Sequence, residues 1–269
     1  MTEQLFSDVQ GEELSDEEFV DVVSEEEPGA LVGNARARPI SKTRSKANKL
    51  TWTCTDDGNE VTYASSSGYK KIMDKNKEVF SQLVADNRSY RRFDETHRIE
   101  DTDLKDLVAL ARLTPSAANL QPLKYITCCH LDQNQEIFDT LKWAAYLKEW
   151  EGPVPGERPT GYIIMLRDQN IKKVLNFDQG IAAQSIMLGA VARGLGGCMI
   201  ASFNQKKLRQ ILGLSADLDI LLVLAIGKPV EIVEINPIIE NEVKYWRDDK
   251  GVHHVPKRSL DEILVKEIK

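Results

Sequence analysis

Between Phe177 and Arg193 the chain carries Ile181, Ala182, Ala183, Ile186, Met187, Leu188, Ala190, Val191 and Ala192. At helical spacing these cover nearly the whole circumference, so the helix has no polar side to give to water and must run through the middle of a domain. Two continuous apolar runs, Tyr162 to Leu166 and Ile220 to Ile226, read as strands buried on both faces.

Shorter signals surround this centre. Val79, Phe80, Leu83 and Val84 give one helical stripe, and Leu104, Leu107, Val108 and Ala111 another, opened by acidic residues that suit a helix N-terminus. Leu123 to Leu131 reads as a strand, and Gln135 to Trp150 as a helix closed by Gly152-Pro153. Cys198 to Ala201 reads as a short strand, Gln205 to Leu212 as a helix ended by Gly213, and Ser259 to Ile268 as a terminal helix. Interleaved helices and strands around a modest sheet give an α+β or α/β domain.

The first 72 residues have a different texture. Residues 1–30 hold 11 acidic and no basic side chains, residues 31–50 hold 6 basic and no acidic ones, and the chain as a whole is at −7. Glu12 to Glu27 reads as a short acidic amphipathic helix capped by Ser15 and Glu18, and Ala35 to Asn48 as a basic linker. Leu50 to Tyr63 alternates as a hairpin around Asp57-Gly58, and Ser65 to Gly68 reads as a linker. The expected organisation is therefore an N-terminal extension, 1–72, followed by one domain over 73–269.

Composition removes several classes of function. With the terminal charge blocks set aside the remainder is nearly neutral, without the broad basic face of a nucleic-acid binder. No apolar run approaches the ~18–20 residues that span a bilayer, and Met1 to Gln10 has no secretory signal pattern. Cys54, Cys128, Cys129 and Cys198 show no CxxC spacing and read as reduced thiols of a cytoplasmic chain. Among the histidines, His97, His130, His253 and His254, none stands in a triad or metal spacing, and the adjacent His253-His254 side chains are expected to point apart. No metal site and no side-chain nucleophile is expected.

Four segments carry chemistry. Arg88, Ser89 and Arg91, in Asn87-Arg88-Ser89-Tyr90-Arg91-Arg92-Phe93, offer the planar forks and hydroxyl that suit a phosphate monoester, or else a basic helix C-terminus. Pro115-Ser116-Ala117-Ala118-Asn119-Leu120-Gln121-Pro122 sits between a helix and a strand. Its small residues permit close backbone approach, and Asn119 and Gln121 offer donors and acceptors to a polyol or an amide-like ring edge. Gly194-Leu195-Gly196-Gly197 follows the buried helix and suits a Schellman C-cap, with N–H groups free for a ligand. It lacks the strand-before, helix-after order of a dinucleotide fingerprint. Lys257-Arg258 is a basic pair near the C-terminus, equally readable as an ordinary surface pair.

Taken together, in this order and spacing, the four segments resemble the FMN-dependent nitroreductase family over the 197 residues from Met73 to Lys269. The resemblance implies an α+β, three-layer fold, with a central mixed or antiparallel sheet wrapped by helices. It implies a homodimer with FMN at the interface, built from both subunits. It assigns Arg88, Ser89 and Arg91 to the FMN phosphate and ribityl chain, Asn119 and Gln121 to the ribityl and ring edge, Gly196 and Gly197 to the ring, and Lys257 and Arg258 to the phosphate. Many members have a further Arg where this chain has Asn87, which shifts weight onto Arg88, Lys257 and Arg258.

The implied activity is hydride transfer from NADH or NADPH, through the flavin, to a small electron-poor acceptor of the nitroaromatic or quinone kind. Two other readings keep the same motifs: a flavin-dependent dehydrogenase or oxidase of a modified peptide or other small molecule, and a flavin-binding module without turnover. Trp143, Tyr146, Trp150 and Pro153 occupy the place of a lid over the flavin or of core packing, and Cys198 reads as a small buried hydrophobe. Tyr245-Trp246 is expected to pack the C-terminal segment down, and residues 1–72 offer a surface for a protein partner.

Overall fold

The structure, a computed structural model, describes residues 41–44, 50–56, 59–62, 66–172 and 177–269, with side chains from 73 onward. The chain divides into two units, Met1–Gly68 and Tyr69–Lys269. In the first, β1 (Ser41–Arg44), β2 (Leu50–Asp56) and β3 (Asn59–Thr62) form an antiparallel sheet in that order. Asp56 pairs with Asn59, so β2 and β3 are joined across two residues, as Asp57-Gly58 predicts; those two residues lie outside the described ones. β1 corrects the linker reading of Ala35 to Asn48: Ser41-Lys42-Thr43-Arg44 has no apolar alternation to announce a strand, and its pairing comes from β2. The expected acidic helix at Glu12 to Glu27 lies outside the described residues.

α1 (Ser66–Asp86) starts inside the stretch read as a linker and spans the expected boundary at 72/73. Its apolar stripe is not packed into this chain's core, since Val79, Phe80 and Val84 are exposed. α2 (Asp101–Arg112) opens with the Asp103 carboxylate accepting the Glu100 N–H, and buries Leu104, Leu107 and Ala111. There follow β4 (Leu123–Cys128), α3 (Leu131–Phe138), β5 (Gly161–Asp168), α4 (Asp178–Ala192), β6 (Gly196–Ile200), α5 (Gln205–Ile211) and β7 (Leu218–Gly227). The sheet runs β4-β5-β7-β6, and every neighbouring pair is antiparallel.

Side chains alternate across this sheet as strand geometry requires. Ile163 and Met165 of β5 face Leu104 and Leu107 of α2 and Ala182, Ala183, Ile186 and Met187 of α4. Tyr162, Ile164 and Leu166 face the other way, with Ile137 of α3 and Leu208 of α5. Two apolar cores on the two faces of one sheet make a three-layer α+β domain, with α2 and α4 on one side and α3 and α5 on the other.

Two helical expectations are corrected. The helix expected over Gln135 to Trp150 is α3, displaced toward the N-terminus and ended at Phe138. Beyond it the Trp143 ring is buried beneath Gly152, where a Cβ would stand 2.7 Å from Trp143 Cδ1. The residues that looked like a helical stripe are set by such loop packing. The terminal helix is one turn only, α6 (Leu260–Ile263), capped by the Ser259 hydroxyl. Between β7 and α6 lies a second small sheet, β8 (Val233–Pro237), β9 (Trp246–Arg247) and β10 (His253–Lys257), in the order β8-β10-β9.

Candidate functional site

The buried helix α4 ends in a Schellman motif. Leu195 N–H donates to Ala190 O at 2.9 Å and Gly194 N–H to Val191 O at 2.9 Å, with Gly194 at φ +70°. The motif turns the chain straight into β6. Ser89 forms a parallel bridge with Gly197 of β6, and Tyr90 N–H donates to Gly197 O at 3.0 Å. The turn carrying Arg88, Ser89 and Arg91 is thus laid beside Gly196 and Gly197. A Cβ on Gly196 would meet Tyr90 Cδ2 at 2.5 Å and Pro229 Cγ at 2.7 Å, and one on Gly197 would meet Ala225 O at 2.3 Å. Both glycines are therefore required by internal packing.

A buried carboxylate pins the turn from beneath. Glu231 Oε1 accepts the backbone N–H of Arg91 and, at 3.2 Å, that of Arg92, while Oε2 accepts from Arg247 Nη2 at 2.9 Å. The Arg92 guanidinium is committed to Glu157, with Nε donating to Oε2 at 2.6 Å. Arg91 Nη1 lies 3.1 Å from Ser89 O and 3.3 Å from His253 Nε2, and its guanidinium sits 5.0 Å over the Tyr245 ring. Burial, reinforced by Arg91, Arg247 and His254, pushes the His253 imidazole down to about 4, so it is neutral at neutral pH. His254 faces away, toward Asn236 and Asp248.

Arg88 differs from its neighbours. Its Nη2 donates to Val84 O at 2.8 Å, its Nε is buried without a partner, and among the described residues it pairs with no carboxylate. Ser89 is exposed beside it. Lys257 shares the strand β10 with His253 four residues away, on the same face and about 13 Å along. Arg258 is bound to Glu262 one helical turn on.

The Pro115 to Pro122 loop lies at the other end of α4. Ser116 Oγ donates to Asp178 Oδ2 at 2.6 Å, and Asp178 is the first residue of that helix. Asn119 and Gln121 are exposed on this loop. Beside it opens a pocket of about 620 Å³, lined by Arg112, Ser116, Gln121, Lys124 and Tyr125 among others. A helix rises ~1.5 Å per residue, so α4, with 15 residues, is about 20 Å long; the Asn119 loop is tied to Asp178 at its start, and the Arg88 turn lies beside Gly197 beyond its end. The structure thus brings Arg88, Ser89, Arg91, Gly196 and Gly197 together, sets Lys257 along the strand from His253, and leaves Asn119 and Gln121 as a second cluster.

Glu231 and Arg247 are new to the site, and His253 and Tyr245, read from the sequence only as an unpaired histidine and as packing for the C-terminal segment, join it. No local motif marks them, because their partners come from distant parts of the chain. Of the aromatic stretch, Trp143 is buried, Trp150 lies under the Arg247 guanidinium at 4.8 Å, and Tyr146 is exposed with its ring 5.0 Å from that of Tyr245. Burial pushes the Cys198 thiol up, as expected of a small buried hydrophobe. Among the described residues, no helix is long and apolar enough to cross a membrane.

The model of the Nitroreductase family matches residues 84–228, more than half of the chain. An oxygen-insensitive NADPH nitroreductase of Helicobacter acinonychis is 26% identical over 189 residues, covering 58% of this chain and 90% of that protein. MhqN of Bacillus subtilis, whose name assigns it provisionally to the NAD(P)H nitroreductases, is 23% identical over 181 residues, covering 55% of this chain and 88% of its own. Among solved structures, a nitroreductase-like protein from Streptococcus mutans superposes with a TM-score of 0.51 at 14% identity, covering 62% of this chain and 96% of that one.

Proposed function

The chain belongs to the nitroreductase family, and from that premise we propose that it is an FMN-dependent oxidoreductase, taking hydride from NADH or NADPH and passing it to a small electron-poor acceptor. The observation that carries the flavin reading is Arg88. A cation with a buried, unpartnered Nε and no carboxylate among the described residues, beside an exposed serine hydroxyl, has the chemistry of a phosphate-monoester site.

The residues fit FMN unevenly. Arg88, Ser89 and Lys257 have donors to spare. Arg91 is held by His253 and Tyr245, with its guanidinium turned toward the side of the turn that faces β10. Arg258 would have to leave Glu262 to help. Gly196 and Gly197 would meet the ring through backbone only, since Tyr90, Pro229 and Ala225 occupy the places their side chains would need. Asn119 and Gln121 present exposed amides suited to a polyol or ring edge, with Gln121 Nε2 donating to Asn119 O at 3.2 Å.

The separation of the two clusters favours a homodimer. In one chain the Asn119 loop and the Arg88 turn sit at opposite ends of α4, and a second copy can lay its Asn119 loop against the first copy's Arg88 turn. The exposed Phe80 of α1, and Phe177 and Ile181 at the start of α4, are the apolar surface such an interface needs.

When bound, FMN supplies the hydride chemistry. In this reading the chain's own residues do three things. Arg88 and Ser89 hold the phosphate, the paired backbone of Ser89–Tyr90 and Gly197 gives the ring a rigid wall, and neutral His253 leaves the positive charge of Arg91 undiminished. Residues 1–72 are read as an appendage, with an acidic stretch suited to a protein partner. Three thiols among the described residues, Cys128, Cys129 and Cys198, are free, which fits a reducing cytoplasm.

The test is FMN titration of the flavin-free protein and its Arg88→Ala and Ser89→Ala variants. Each charge-assisted bond contributes ~1.5–3 kcal/mol, so affinity is expected to fall about 10- to 100-fold for Arg88→Ala, with the apoprotein's melting unchanged. Unaltered affinity in both variants would overturn the phosphate assignment.

A further inference from the structure

Resting on the flavin reading above, we infer that Asp178 is a positioning residue for the cofactor loop, and that it acts through the Ser116 hydroxyl to set the orientation of Asn119 and Gln121. The carboxylate is buried at the first residue of α4, 62 positions from the serine it binds. Its Oδ2 accepts from Ser116 Oγ at 2.6 Å, and both its oxygens face Ala117 N–H at 3.3 Å. Ser116 Oγ in turn accepts Gln121 N–H at 3.0 Å. One carboxylate, one hydroxyl and one amide therefore form a continuous brace across the loop.

The loop needs a brace. Ala118, Asn119 and Gln121 stand at φ 52°, 53° and 52°, in the left-handed region that L side chains avoid. Two local bonds, Asn119 N–H to Ser116 O at 2.9 Å and Leu120 N–H to Ala117 O at 3.2 Å, close only its first turn. Farther on, Gln121 Nε2 donates to Asn119 O at 3.2 Å, and Ser116 Oγ ties the Gln121 N–H back to the start of the loop. With that tie cut, the loop is free to relax toward ordinary backbone angles, and the two amides lose their fixed direction.

The charge state of Asp178 suits the task. The Ser116 hydroxyl, followed by the Ala117 N–H and Lys172, holds its carboxyl below the usual range, so it remains an acceptor-only group at neutral pH. Asp178 also lies on α4, the helix that spans the distance to Gly196. The brace thereby ties the loop to the most buried helix of the domain rather than to another loop.

The experiment is FMN titration of the purified full chain and of Asp178→Ala, Asp178→Asn, Ser116→Ala and the Ser116→Ala/Asp178→Ala pair, each with its melting curve and the visible circular dichroism of the bound flavin. Asp178→Ala and Ser116→Ala are each expected to weaken FMN about 10-fold and to change the flavin dichroism. The pair should be no worse than Asp178→Ala alone, because both substitutions cut the same path. Asp178→Asn retains an acceptor oxygen and should restore affinity to within about 3-fold of the wild-type chain. If Asp178→Ala does not fold, Ser116→Ala decides. Lowered melting with unchanged affinity and dichroism would overturn the inference, leaving Asp178 a structural residue only. A wild-type chain that takes up no FMN would instead overturn the flavin reading itself, and this inference with it.

Discussion

The ring of Tyr90 stands where any side chain on Gly196 would have to go: a Cβ built there lies 2.5 Å from Tyr90 Cδ2. With Pro229 Cγ on another side at 2.7 Å, the glycine is caught between the Arg88–Phe93 turn and the segment after β7. Gly196→Ala is expected to destabilise the fold by about 2 kcal/mol through overpacking. Combined with Tyr90→Ala it should cost less than the two single changes added, since one of the two obstacles is gone. Urea unfolding of the three variants checks this, and strict additivity would contradict the contact.

Glu231 ties that turn to the second sheet. Glu231→Ala leaves the Arg247 guanidinium buried without its acid and strips the Arg91 and Arg92 N–H groups of their acceptor, for an expected loss of ~3–5 kcal/mol. Glu231→Gln keeps an oxygen for both amides and should lose roughly half as much. Equal losses in the two variants would mean that the ion pair with Arg247, rather than the hold on the turn, is what matters.

His253 should leave a signature in the pH dependence of stability. Its folded value of about 4 lies below the ordinary 6.5, so as pH falls the unfolded chain binds the proton first. The contribution is intact above pH ~6.5 and is lost on acidification toward ~4, on the order of 2 kcal/mol once screening is allowed for. Carboxylates titrate in the same window, so the readout is the difference between wild type and His253→Gln, whose profile should be flatter. Parallel profiles would contradict a buried neutral imidazole.

At Ala118, φ 52° and ψ 21° place an alanine in left-handed helical backbone. Ala118→Gly should stabilise the flavin-free protein by about 0.5–1 kcal/mol, the relief of strain outweighing the entropy that glycine adds to the unfolded chain. Ala118→Val should destabilise it, because branching at Cβ makes the same region worse. A glycine variant that melts lower than wild type would contradict the loop conformation.

The parts of this architecture that are legible in the sequence are those written in consecutive residues. β5 and β7 are announced by unbroken apolar runs, because burial on both faces leaves no polar position to confuse the period. α4 is found by its apolar residues, but the expectation that it is buried all round is corrected: it packs one side on the sheet, while Ile181 and Ala192 are exposed on the other. α3 is misplaced because Trp143, Tyr146 and Trp150 fall by chance at helical spacing while each packs on a different neighbour: Gly152, Tyr245 and Arg247. β1 and the β8-β10-β9 sheet are short and carry few apolar alternations.

The candidate site divides in the same way. Arg88, Ser89, Asn119 and Gln121 stand in local motifs and are readable as such. Glu231 and Asp178 are single acids in unremarkable surroundings, and their partners lie 140 and 62 positions away. Only the folded chain brings them to the loops they hold.

The central claim, that this chain is a flavin oxidoreductase fed by a reduced nicotinamide, meets its most direct test in the visible absorption spectrum of the FMN-loaded protein under anaerobic conditions, before and after addition of NADPH and, separately, NADH. The expected result is a protein-bound flavin spectrum that bleaches with at least one of the two donors and returns when an electron-poor acceptor such as a quinone or nitroaromatic is added. A flavin spectrum unmoved by both donors, or a protein that takes up no FMN, would contradict it.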